Sequence, residues 1–136
     1  MQRVSQAAAE MRTALAAALA DREDVRLALL FGSQARGRAG AGSDVDVAVL
    51  APGVDGLELA SELSHAIGRE VDVIALEDPS VPLLAQLVRD SIVVHEGVPG
   101  AAASWRARAL LALEIDGPWY ARMRDAWLAR VAERGL

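Results

Sequence analysis

The chain has 136 residues, enough for one domain with one hydrophobic core and too few for two of ordinary size. Hydrophobic residues make up 53% of it and charged residues 24%, a balance typical of folded globular proteins. The net charge is −5 and cysteine is absent, which disfavours a general coat for DNA or RNA and excludes disulfides and thiolate chemistry. We expect one domain over residues 1–136 with no direct nucleic-acid partner.

The first third of the chain predicts one helix and two strands. Apolar residues recur at helical spacing over residues 4–20, and short β-compatible runs follow at 25–31 and 45–50. Glu10 and Arg12 interrupt the apolar stretch near the N-terminus, and no run reaches membrane-spanning length. We therefore expect a cytoplasmic protein without a membrane partner.

The middle of the chain alternates helices and strands. A helical pattern covers 56–67 and ends before Gly68, and a third strand covers 70–76. Ser80 is the expected N-cap of a helix that runs to about Asp90, and a fourth strand covers 92–97.

The C-terminal part predicts two helices, 101–115 and 119–134, separated by a break at Asp116-Gly117-Pro118. The order of elements predicts an α+β fold, with a small mixed β-sheet and helices mainly on one face. Residues 1–97 form the expected core of this fold and residues 98–136 a C-terminal helical extension.

Two aspartates open the second strand. Side chains two apart on a strand point to the same face, so Asp44 and Asp46 lie together and repel each other. A hard dication such as Mg²⁺, which binds carboxylates together with substrate phosphates, would offset that repulsion. The alternative interpretation is a solvated strand entrance.

The loop before these aspartates has features of a phosphate site. Gly32 follows a strand directly and lets a phosphate approach backbone N–H groups, Ser33 adds a hydroxyl donor, and Arg36 adds positive charge. The alternative is a plain hairpin-like connection. A nucleoside triphosphate with magnesium would satisfy both the loop and the aspartate pair.

Asp72 lies within the apolar third strand, an unfavourable place for an unpartnered charge. If the second and third strands are neighbours, Asp72 joins Asp44 and Asp46 around a two-metal site, and it is placed to accept the proton of an attacking hydroxyl. The alternative is an edge-strand aspartate that faces water.

Gly32-Ser33, ten further residues and then Asp44-Val45-Asp46 resemble the signature of the nucleotidyltransferase superfamily with the DNA polymerase β catalytic fold. The stretches FGSQARG, SDVDVAVL and EVDVIAL are similar to the minimal MNT-type nucleotidyltransferases. Many members of that group are encoded beside a HEPN-domain partner as toxin–antitoxin pairs.

The resemblance implies a role for each of these residues. Gly32 and Ser33 would hold the triphosphate of ATP, and Arg36 would contact its phosphates. The expected catalytic residues, which are also the expected ligands of two Mg²⁺ ions, are Asp44, Asp46 and Asp72.

The resemblance also implies a function. The protein would be an antitoxin that transfers AMP from ATP to a hydroxyl, expected to be a tyrosine's, of a cognate HEPN toxin, with which it would form a hetero-oligomer. Two alternatives stay open: an antitoxin that acts by stoichiometric binding without catalysis, and a small-molecule nucleotidyltransferase of the aminoglycoside type.

Residues outside this motif carry weaker signals. We expect the two histidines, His65 and His95, to be structural or surface groups. The aromatic residues of the last third are expected to be core and helix-packing residues, with a protein–protein interface as the alternative; they are Trp105, Trp119, Tyr120 and Trp127.

Overall fold

The computed structural model describes residues 2–32, 35 and 44–134. Its elements in chain order are α1 (Gln2–Leu19), β1 (Leu27–Phe31), β2 (Val45–Leu50), α2 (Gly56–Ile67), β3 (Val71–Ala75), α3 (Val81–Asp90), β4 (Ile92–Glu96) and α4 (Ala101–Glu133). Among the residues described, no helix has the length and apolar character needed to cross a membrane.

Local capping explains where the two middle helices begin and end. The Asp55 carboxylate accepts hydrogen bonds from the backbone N–H groups of Leu57 and Glu58 at the start of α2, and Gly68 ends that helix at φ 70°. Ser80 caps α3 in the same way, through the N–H of Leu83. The predicted bounds of both helices are therefore confirmed.

The four strands form one mixed sheet in the order β3-β2-β1-β4. β1 runs antiparallel to both β2 and β4, while β2 and β3 are parallel. The parallel pair requires a crossover connection, and α2 supplies it. This topology makes β2 and β3 neighbours, as the interpretation of the carboxylates required.

The helices cover both faces of the sheet, two on each. All five residues of β1 are buried, so this strand needs apolar partners above and below. On one face α1 and α2 supply Met11, Leu15, Leu19, Leu59 and Leu63. On the other face α3 and α4 supply Leu84, Leu87, Trp105 and Ala109. The α+β class and the mixed sheet are as predicted, but the expectation of helices mainly on one face is wrong.

The C-terminal segment is one uninterrupted helix, α4, with Pro118 inside it. The predicted break at Asp116-Gly117-Pro118 is therefore wrong. A proline in a helix removes one hydrogen bond, to the carbonyl four residues earlier. That residue, Glu114, is exposed, so water can replace the missing donor, while the alanine-, leucine- and arginine-rich sequence on both sides favours the helix.

Candidate active site

The aspartate pair lies at the N-terminal end of β2. Asp44 directly precedes the strand and is exposed, whereas Asp46 is its second residue and is half-buried. Val45 and Val47, which alternate with them, are fully buried against α1 and α2. Both carboxylates therefore belong to the opposite face of the sheet, which α3 and α4 cover further along the strands.

Strand pairing brings the third carboxylate to the same place. Asp72 lies directly opposite Asp46 in the parallel register of β2 and β3. The backbone N–H of Val45 donates to the carbonyl oxygen of Glu70 at 3.0 Å, so the pairing continues to the ends of both strands. Neighbouring strands are about 4.8 Å apart, so Asp46 and Asp72 are adjacent on one face.

The environment of Asp46 is electrostatically unfavourable for its charged form. Burial raises the pKa of the Asp46 carboxyl first, and the negative charges of Asp72 and Asp44 raise it further. The charges of Asp44 and Asp72 thus act on Asp46 through space. Such an arrangement favours the binding of a cation, because a positive charge would offset both contributions.

The turn after β1 lies against the Asp46 carboxylate. Gly32 is buried and has φ 76°, a left-handed conformation that other residues adopt at a cost. A Cβ atom at this position would stand 2.6 Å from Oδ2 of Asp46. Glycine is therefore required for the backbone to pass so close to the carboxylate.

Sequence reasoning did not single out Phe31. This residue is buried and lies directly opposite Asp46 in the antiparallel register of β1 and β2. Paired residues project to the same face of a sheet, so Phe31 is an apolar neighbour of Asp46 there. Its position immediately before Gly32 is the sequence feature that could have identified it.

The oxygen donors of Asp44, Asp46 and Asp72 are the type that Mg²⁺ prefers. Within residues 2–32, 35 and 44–134, no three His, Cys, Asp or Glu side chains converge closely enough to form a metal cluster in the arrangement seen. The fit to magnesium rests on the chemistry of the donors and on the raised pKa of Asp46. The predicted phosphate contacts Ser33 and Arg36 lie outside the described residues.

The remaining candidates lie elsewhere. His95 Nε2 is 3.1 Å from the backbone carbonyl oxygen of Arg22, a structural contact, and His65 is exposed on α2. Trp105 is buried in the core as expected, but Trp119 and Trp127 are each 57% exposed, so the expectation that they are core residues is wrong.

Solved structures of toxin–antitoxin complexes are similar to this chain, through their MntA or MNT antitoxins. A toxin–antitoxin structure with AMP-PNP is 24% identical, with a TM-score of 0.68 over 85% of this chain and 98% of that chain. The toxin–antitoxin MntA–HepT is 22% identical, with a TM-score of 0.62 over 87% and 97%. A structure of a tri-AMPylated Shewanella oneidensis HEPN toxin in complex with MNT antitoxin is 22% identical, with a TM-score of 0.63 over 88% of this chain and 98% of that chain. These likenesses show a shared fold.

A comparison with curated proteins gives no match. Residues 14–97, more than half of the chain, match the family described as Polymerase beta, Nucleotidyltransferase. The matched segment contains β1, the turn at Gly32 and all three carboxylates. The chain therefore belongs to the polymerase β nucleotidyltransferase family.

Proposed function

We propose that this protein is a magnesium-dependent antitoxin that transfers AMP from ATP to a hydroxyl group of a cognate HEPN toxin. The observation that carries the proposal is the meeting of Gly32, Asp46 and Asp72, in which a glycine turn passes directly beside a carboxylate pair on adjacent strands. A bound cation that also binds phosphate oxygens would offset the repulsion between the two carboxylates of such a pair. Because ATP is the donor, we place the reaction in the cytoplasm.

The likeness to antitoxins supports the choice of acceptor. The similar structures include one with AMP-PNP and one in which the HEPN toxin is AMPylated. The acceptor proposed for this chain is a tyrosine of its own toxin partner. An added AMP would bring negative charge and bulk to the toxin's RNA site and so prevent RNA from binding there.

The chain's own residues have distinct roles in the proposed reaction. Gly32, with Ser33 and Arg36, holds the triphosphate, and Asp44 and Asp46 with Asp72 would hold magnesium, which when bound supplies charge stabilisation for the phosphates. The acceptor oxygen bonds to the α-phosphorus, and the bond from that phosphorus to the bridging oxygen of the β-phosphate breaks. Pyrophosphate leaves, and Asp72 accepts the hydroxyl proton.

A double substitution separates catalysis from stoichiometric binding. Asp44→Asn with Asp46→Asn keeps side-chain size and removes both charges, so toxin neutralisation in growing cells should be lost while complex formation, measured by co-purification, persists. Full neutralisation by this variant would show that binding alone is the mechanism.

The small-molecule alternative is tested by presenting labelled ATP with a panel of aminoglycosides and, separately, with the product of the adjacent open reading frame. We expect label on the protein acceptor. Label on a drug and none on the protein would replace the proposed acceptor.

A further inference from the structure

The second half of α4 carries an apolar stripe that nothing described covers. The last α4 side chains packed on the core are Ala112 and Leu113. Beyond them the helix runs for another twenty residues, to Glu133, with Trp119 and Trp127 each 57% exposed and Met123 49% exposed.

This stripe continues the face that the first half of α4 buries. Positions three or four apart lie on the same side of a helix. Such steps lead from the buried Trp105 through one series of residues: Ala109, Ala112, Asp116, Tyr120, Met123, Trp127 and Arg130. The core-facing side of α4 thus extends past the edge of the core without a partner, with Trp119 flanking it.

The charges at the two ends of the stripe are opposite. Asp116 stands at its start and Arg130 near its end, both exposed. Within the described ranges, neither has an ion-pair partner in its own chain. Each lies seven residues from Met123, Asp116 before it and Arg130 after it. The stripe therefore has an acidic residue at one end, a basic residue at the other and apolar residues around the central methionine.

We propose that this stripe is a self-association surface, on which α4 of a second copy of the chain packs antiparallel. An antiparallel pair centred on Met123 places Asp116 of each copy opposite Arg130 of the other and Trp119 opposite Trp127. The opposed charges span about 21 Å of helix. Parallel pairing would instead set each charge against its like.

The expected dimer is weak. Three half-exposed large side chains per copy amount to a buried area on the order of 800 Å² in total, below the roughly 1,200 Å² at which stable specific interfaces begin. We therefore expect a dissociation constant in the micromolar range, and a dimer that forms and separates as concentration changes.

Analytical ultracentrifugation of the whole chain over a wide concentration range tests this. The wild-type mass should rise from monomer to dimer. Asp116→Arg alone and Arg130→Asp alone should each weaken association by about tenfold. Either substitution places like charges opposite each other at both contacts between residues 116 and 130 in the dimer. An equimolar mixture of these two variants should associate again, since both contacts are then attractive.

A matched pair of substitutions tests the apolar centre. Met123→Lys should weaken association by about tenfold or more, whereas Leu128→Lys, at a side chain of similar exposure on another side of α4, should not. Circular dichroism confirms that both variants stay helical. A wild-type protein that is monomeric throughout, or a mixture of charge variants that does not recover, would overturn the proposal. Loss of toxin binding without any change in self-association would assign the stripe to the toxin and overturn it equally.

Discussion

Asp46 holds its carboxyl proton more tightly in the folded chain than in the unfolded chain, because burial and the charges of Asp72 and Asp44 raise its pKa. A raised pKa in the folded state contributes stability below the ordinary aspartate pKa of about 3.9 and loses it as pH rises. In the absence of metal, the charged form of Asp46 thus destabilises the fold at neutral pH.

The substitution Asp46→Asn should therefore stabilise the metal-free protein as pH rises from about 4 to 7, relative to wild type. Urea unfolding at both pH values, with a chelator present, measures the difference. Adding Mg²⁺ with ATP should raise the Tm of the wild type and not that of the variant. A variant less stable than wild type at pH 7 would contradict this account.

Asp24 provides a control of opposite sign. Its pKa is lowered, first by the hydrogen bond from Arg22, so its contribution is present above the ordinary aspartate pKa and is lost as pH falls. Asp24→Asn should accordingly lower the free energy of unfolding at neutral pH, measured by the same urea unfolding.

Among the elements, the turn that ends β1 constrains the candidate site, because its backbone passes close to the Asp46 carboxylate. Gly32→Ala introduces a Cβ atom that must displace the Asp46 carboxylate, in addition to the strain of a positive φ. Nucleotidyl transfer should fall by about a hundredfold or more, since a displacement of about 1 Å has effects of that size.

Gly53→Ala is the matched control for that substitution. Gly53 has a similar φ of 81°, but a Cβ there meets nothing within 4 Å. Both variants should lose about 1–2 kcal/mol from backbone strain, yet only Gly32→Ala should lose activity. Equal activity of the two variants would show that the contact with Asp46 is irrelevant.

Local signals predicted most of the elements. Gly68 and Ser80 mark helix ends through capping that depends on near neighbours, so the sequence alone is sufficient there. The pairing of β2 with β3, and hence the approach of Asp72 to Asp46, was an assumption that the topology confirms.

Other features depend on contacts distant in sequence and could not be predicted in the same way. The contact between Gly32 and Asp46 is set by how β1 pairs with β2. The continuity of α4 through Pro118 depends on an exposed position that tolerates the lost hydrogen bond. The two-sided burial of β1 appears only when α3 and α4 are placed.

The whole molecule presents two separate surfaces, one at an end of the sheet and one on the second half of α4. One end of β2 and β3 presents the carboxylates and the Gly32 turn, and α4 projects an apolar stripe from the face that packs on α3. The proposed chemistry and the proposed association therefore depend on different residues and can be altered independently. In a Met123→Lys background, the pH-dependent difference in unfolding free energy between Asp46 and Asp46→Asn should therefore be unchanged.

Transfer of label from ATP to the proposed toxin partner is the decisive test of the proposed function. The purified chain is incubated with Mg²⁺, the product of the adjacent open reading frame and ATP labelled at either the α- or the γ-phosphate. We expect α-label on the partner, γ-label released as pyrophosphate, and neither with Asp44→Asn and Asp46→Asn combined. Transfer of the γ-label to the partner, or α-label transfer undiminished in the double variant, would contradict the proposed function.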